Sequence, residues 1–294
     1  MDVTEALLGW TTYRAKLCNL GLVAQSTCDN QAQIAAGLIH RLGTIRLADL
    51  RKSHIELWMG ERLRTCAPVT VRGELNVLRQ VLNWCVDEQM LAVRPKMPTL
   101  TVPSTEAALP SDEDYAWFLR TMGQKHSDAL QFMLLTGLSP HELERLQARD
   151  ATFTAAPERG PNVVTGEVLI GMRDDFAVKQ ASRRRPVPMN PAATMIWLRW
   201  TIGAKADAHP FPGVDAMQKA MRRHAIARPD APAAADGLTP KMMRKWFASK
   251  VADEHSEAVL QRLLGHAPGS PITRKHYVRS NQDQLARAVG GLTL

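Results

Sequence analysis

Leu134-Leu135-Thr136-Gly137-Leu138-Ser139-Pro140-His141-Glu142 closes one helix and opens the next. The helix predicted over about 126–136 stops at Gly137, because glycine readily takes the left-handed backbone that ends a helix. Ser139, Pro140 and Glu142 then fall at the N-cap, N1 and N3 positions of a capping box. Upstream, Ser111-Asp112-Glu113-Asp114 reads as a second capping box. Downstream, two or three short strands are expected over roughly 163–172 and 176–189, with Val163, Val164, Val168, Leu169 and Ile170 as β content and Pro186 and Pro188 closing the unit. The rest reads as helices. Trp197 and Trp200 are core residues in this reading rather than a stacking platform.

The stretch 98–110 holds three prolines and little helical periodicity, so it reads as a linker, centred on 101–109. Before it only helices are legible: one from about Asp29 with Ile34, Leu38, Ile39 and Leu42, one over roughly Ser53–Arg64, and one from about Thr70 with Leu75, Leu78, Leu82, Cys85 and Val86. The opposite face of the third carries Arg72, Asn76, Arg79 and Asn83. Arg and Asn can hold phosphates and read base edges, although an ordinary solvated helix has the same look.

At 294 residues and 45% hydrophobic, the chain can build one large core or two modest ones. No apolar run approaches the ~20 residues of a membrane helix, and Met1-Asp2-Val3-Thr4-Glu5 has no signal-peptide character. A cytoplasmic, nucleoid-associated location is expected. Cys18, Cys28, Cys66 and Cys85 form no Cys-x-x-Cys pair, so free thiols are expected and neither a metal nor a cofactor. The net charge of +8 suits a polyanionic partner.

Thr239-Pro240-Lys241-Met242-Met243-Arg244 opens a helix, with Thr239 as N-cap and Lys241 and Arg244 on one face near its positive end. A later helix stops at Gly265, placing His266 at its end. Lys179 falls between candidate strands, followed by Arg183, Arg184 and Arg185, which suit DNA backbone affinity. Tyr277 is one of only three tyrosines and follows this series of cations. A phenol titrates near ~10, so cations and a positioned base would be needed to make it a nucleophile.

These segments, taken in order, resemble the tyrosine recombinases, or phage integrases. The resemblance runs over nearly the whole chain. It rests on Thr70–Pro95 with the Asn83-Trp84 pair, on Leu134–Leu138 with Glu142, Leu146 and Asp150, and on Thr239–Phe247, Leu263–His266 and Thr273–Tyr277. It implies a mainly α protein. Residues 1–100 would form a helical core-binding, SAM-like domain, and 110–294 a mostly helical catalytic domain with a small antiparallel sheet. It also implies Tyr277 as nucleophile, Arg244, His266 and Lys241 around the phosphate, and Lys179 as the donor to the leaving 5′ oxygen. No metal or other cofactor is implied. The implied partners are double-stranded DNA with specific recombination sites, three further copies of the chain in a homotetramer, and accessory DNA-bending or directionality proteins. The span from His266 to Tyr277, with Pro268 and Pro271, is longer than the family's usual pattern. The tail with Leu285, Ala286 and Val289 suits packing on a neighbour or on its own domain.

Ser139 stands where the family pattern has its first arginine. Three readings are open: that Arg145, Arg149 or Arg173 takes over, that the chain is a DNA-binding relative with weak or absent cleavage, or that the serine is an engineered substitution. A topoisomerase of similar chemistry is a further alternative.

Overall fold

The computed structural model describes residues 1–102, 109–155, 164–176, 178, 180–267 and 269–270. Most of the linker expected at 101–109, the hairpin Lys179, the loop prolines 268 and 271, Tyr277 and the tail beyond it lie outside the described residues. The chain divides into two compact units, Met1–Glu106 and Ala107–Leu294.

The first unit holds α1 (Val3–Asn19), α2 (Gln25–Leu42), α3 (Lys52–Leu63) and α4 (Pro68–Asp87). Its core joins Leu7 and Trp10 of α1, Leu38 and Leu42 of α2, Ile55 and Trp58 of α3, and Leu75, Leu78 and Leu82 of α4. The sequence reading found α2, α3 and α4 but not α1. The buried residues of α1, Val3, Ala6, Leu7 and Trp10, all lie in its first half, so no long apolar stripe marks it. All four cysteines are free thiols, Cys28 and Cys85 buried and Cys18 and Cys66 half-buried.

In the second unit α5 (Asp112–Thr121) opens on Ser111 with the expected capping box. Next come α6 (Gln124–Thr136) and the short α7 (Pro140–Arg145). Three antiparallel strands follow, β1 (Ala151–Ala155), β2 (Val164–Ile170) and β3 (Arg185–Met189), in that spatial order. Helices α8 (Pro191–Thr201), α9 (Val214–Ala227), α10 (Pro240–Glu254) and α11 (Glu257–Leu264) complete it. Leu130, Phe132 and Met133 make α6 the buried centre of the large core, where Phe132 meets the rings of Trp197 and Phe211. Trp197 is a core residue as expected, and the half-buried Trp200 donates from its indole nitrogen to Asp128 at 2.9 Å.

The strand segment expected over 176–189 is shorter than read. Its middle, Ala181–Arg183, is a 3-10 turn, and only Arg185–Met189 pairs with β2. Strand β1 was not expected: four of its five residues are exposed, so it carries no buried face to signal it. Pro186 and Pro188 sit in β3 because it is an edge strand of this sheet, where a missing N–H breaks no ladder bond.

Candidate active site

The site grows from the turn between α6 and α7. Gly137 ends α6 with φ 67°, its N–H donating to Met133 at 2.9 Å. A side chain at 137 would collide with the ring of Phe247 on α10, so this glycine also permits the close approach of the two helices. Ser139 then caps α7. Its hydroxyl accepts from the Glu142 N–H at 3.3 Å, and Glu142 Oε2 accepts from the Ser139 N–H at 2.8 Å. The reciprocal cap fixes the Glu142 carboxylate, which is only 5% exposed.

Three guanidinium groups converge on that carboxylate. Arg244, in the second turn of α10, places Nη1 3.2 Å from Glu142 Oε2. Arg185, the first residue of β3, places Nη1 3.0 Å from Oε1. Arg183 places Nη1 3.6 Å from the same oxygen. Backbone carbonyls hold the two buried arginines further. Arg244 donates to Gly137 O at 2.8 Å and Leu264 O at 2.6 Å, and Arg185 to Leu263 O at 2.7 Å and Arg183 O at 2.9 Å.

Helix α11 delivers the histidine. Gly265 closes it in the left-handed region, φ 66°, and the N–H of His266 donates to Gln261 O at 2.9 Å. Ser182 donates from its hydroxyl to Gly265 O at 3.3 Å, so the 3-10 turn before β3 sits against the end of α11. A Cβ at 265 would lie 2.8 Å from Arg185 Nη1 and 3.0 Å from Arg183 Cα.

Burial pushes the half-buried His266 down to about 4, helped by the positive fields of Arg244, Arg183 and Arg185. The ring is therefore neutral at pH 7, with one nitrogen able to donate and the other to accept. Burial alone would raise Glu142, but the charges of Arg185 and Arg244 overcome it and hold the carboxyl down at about 2. The cluster is thus an ionised carboxylate among guanidiniums, beside an uncharged imidazole.

Of the residues singled out from sequence, the structure gathers Arg244, His266 and Arg183 in one place, with Ser139 at its edge. Lys241, in the first turn of α10, is exposed whereas Arg244 is buried, and Thr239 caps that helix by position without a side-chain hydrogen bond. Arg184 is exposed. Arg173 and Arg149 lie in a different network: Arg173 donates to Asp150 at 2.7 Å and Asp175 at 2.5 Å, and Arg149 sits 3.7 Å from Asp175. Arg145 is exposed, and its carbonyl accepts from Arg173 at 3.1 Å. In the first unit Arg72, Asn76 and Asn83 are exposed and Arg79 half-buried on α4, with Arg79 Nη1 donating to Asn76 at 2.6 Å.

Sequence reasoning missed Arg185 as a site residue and Glu142 as its hub. The alternation in β3 carried the signal: Arg185, Val187 and Met189 point inward and the two prolines outward.

No protein-family model matches the chain, and no curated protein does. Solved structures do match over nearly its whole length. The Tn1549 transposon integrase in complex with a circular intermediate DNA superposes with a TM-score of 0.71 at 18% identity, covering 99% of this chain and 100% of that one. A lambda integrase dimer bound to a COC′ core site gives 0.69 at 12% identity, covering 96% and 98%. A lambda integrase tetramer bound to a Holliday junction gives 0.66 at 13% identity, covering 96% and 80%. The chain has the tyrosine recombinase fold, mostly helical with a small antiparallel sheet. The neighbours that define this likeness are integrases bound to DNA.

Proposed function

We propose that the chain is a site-specific DNA recombinase of the integrase type, which cuts and rejoins duplex DNA through a 3′-phosphotyrosyl intermediate. One observation carries the reading: within a recombinase fold, Arg244, Arg185 and Arg183 surround one carboxylate beside the neutral His266. Such a cluster suits the doubly oxygenated anion of a phosphodiester.

In this mechanism the Tyr277 oxygen attacks the scissile phosphorus and the bond from phosphorus to the 5′ oxygen breaks. The phenol proton leaves to a ring nitrogen of neutral His266, and Lys179 protonates the departing 5′ oxygen. Arg244 stabilises charge on the non-bridging oxygens, with Lys241 as a further donor. The phosphotyrosyl ester conserves the energy of the broken bond, so a 5′ hydroxyl from a partner duplex can reverse the step without ATP. The DNA-bound dimer and tetramer among the structural neighbours support an assembly of four protomers on two sites. Arg72, Asn76, Arg79 and Asn83 of α4, with Arg184, would grip the duplex.

A second reading, a DNA-binding protein on the same fold that does not cleave, draws on Ser139. That residue caps α7 and carries no charge. A nicked suicide duplex separates the two. A denaturation-resistant protein–DNA adduct that disappears in Tyr277→Phe and in Arg244→Ala supports the recombinase. Tight binding without an adduct supports the second reading.

A further inference from the structure

Two features of the β3 approach are unexplained by packing. Arg185 is 5% exposed, yet its Nη2 is buried with no hydrogen-bond partner among the described residues. A buried guanidinium N–H left without an acceptor is destabilising, so packing alone does not account for an arginine here. Arg183 is the second feature. Its side chain is 27% exposed, and among the described residues it makes one ion pair, 3.6 Å long, and no side-chain hydrogen bond. A separation of 3.6 Å is too long for a hydrogen bond. Arg183 is thus held near Glu142 without being consumed by it, and its donors are available to a ligand.

Its backbone is fixed beside the rest of the cluster. Arg183 O accepts from Arg185 Nη1 at 2.9 Å, and the neighbouring Ser182 hydroxyl ties the turn to Gly265 O, one residue before His266. The field of Arg183 also reaches the His266 ring, which places the two in one electrostatic site. By contrast Arg149 and Arg173 are committed to Asp150 and Asp175.

Resting on the recombinase reading, we propose that Arg183 is the guanidinium that clamps the scissile phosphate alongside Arg244. In this way the chain supplies from the 3-10 turn before β3 the charge that residue 139 lacks. Arg185 is the positioning residue: it holds the Arg183 carbonyl and Glu142, and so sets where the Arg183 side chain emerges. Arg183 forms and breaks no covalent bond. It stabilises charge on the non-bridging oxygens as phosphorus is attacked. Arginines in comparable positions of phosphoryl-transfer sites supply ~10³–10⁵ in rate.

The test uses the full chain at saturating protein on two suicide duplexes, one with an ordinary scissile phosphodiester and one with a methylphosphonate there. The methylphosphonate removes the negative charge that a guanidinium would neutralise. Arg183→Ala is expected to slow adduct formation on the phosphodiester by about 10²–10³-fold, with duplex affinity nearly kept. The deficit shrinks on the methylphosphonate, and added guanidinium ion restores part of the rate. Arg183→Lys, which keeps the charge but not the fork, falls between. Equal loss on both duplexes, or no loss, overturns the role of Arg183 while leaving the recombinase reading intact. Absence of any Tyr277-dependent adduct from the unmodified protein overturns both. Thermal unfolding of each variant identifies a rate loss that comes from misfolding, and a loss explained that way also counts against the clamp.

Discussion

Arg244 Nη1 lies 3.2 Å from Glu142 Oε2 although 102 residues separate them in the chain. The contact joins the start of α7 to α10, and Arg185 takes the other carboxylate oxygen. Glu142 is therefore the counter-charge on which the site is assembled. Glu142→Gln keeps the shape and the capping role but leaves buried guanidiniums without their carboxylate, and is expected to destabilise the fold by ~3–5 kcal/mol. Urea unfolding of the two proteins measures it.

The same carboxylate predicts an acid limb. Its folded value of about 2 lies below the ordinary 4.5. Its contribution is fully present above pH 4.5 and is lost as pH falls through 2. Stability plotted against pH should fall less steeply across that window in Glu142→Gln than in the unmodified chain.

His266 contributes at higher pH. Burial and the neighbouring arginines lower it from 6.5 to about 4, so the fold favours the neutral ring. That preference is fully present above pH 6.5 and is lost as pH falls toward 4. Proton NMR of the imidazole is expected to show no titration between pH 6 and 8. A phosphate or duplex bound beside the ring should raise its value, because the added negative charge favours the imidazolium.

Gly265→Ala should damage stability and site together. Its φ of 66° costs a residue with a side chain ~1–2 kcal/mol. The new methyl would also press on Arg185 Nη1 and on the Arg183 backbone. A lower melting temperature with slower adduct formation is expected, whereas Ser139→Ala should cost only the cap, ~1 kcal/mol, and leave the cleavage rate nearly unchanged.

On α4, Arg79→Ala is expected to weaken duplex binding similarly across sequences if Arg79 meets a phosphate, and to reduce the slope of log affinity against log salt by about one. Titrations at several salt concentrations read this directly.

Much of this was legible in the chain because the signals were local. Gly137, Ser139 and Glu142 announce a helix end and a helix start, and both are where the spacing put them. Leu75, Leu78 and Leu82 mark α4 by a stripe that runs most of its length. Helix α1 and strand β1 escaped for the opposite reason, since one buries only its first half and the other almost nothing. In the sequence Arg185 is one of three adjacent arginines that suit DNA backbone affinity. Its inward direction is fixed by pairing with β2, and its partners Glu142 and Leu263 lie 43 and 78 residues away. No local pattern names such partners.

The buried arginines lean heavily on peptide oxygens. Gly137 and Leu264 serve Arg244, while Leu263 and Arg183 serve Arg185. A carbonyl orients a cation through its dipole yet has no formal charge with which to cancel it. The scaffold therefore aims its guanidiniums with neutral oxygens, and among the described residues Glu142 sets one formal negative charge against three cations, so the cluster stays net positive toward an arriving anion.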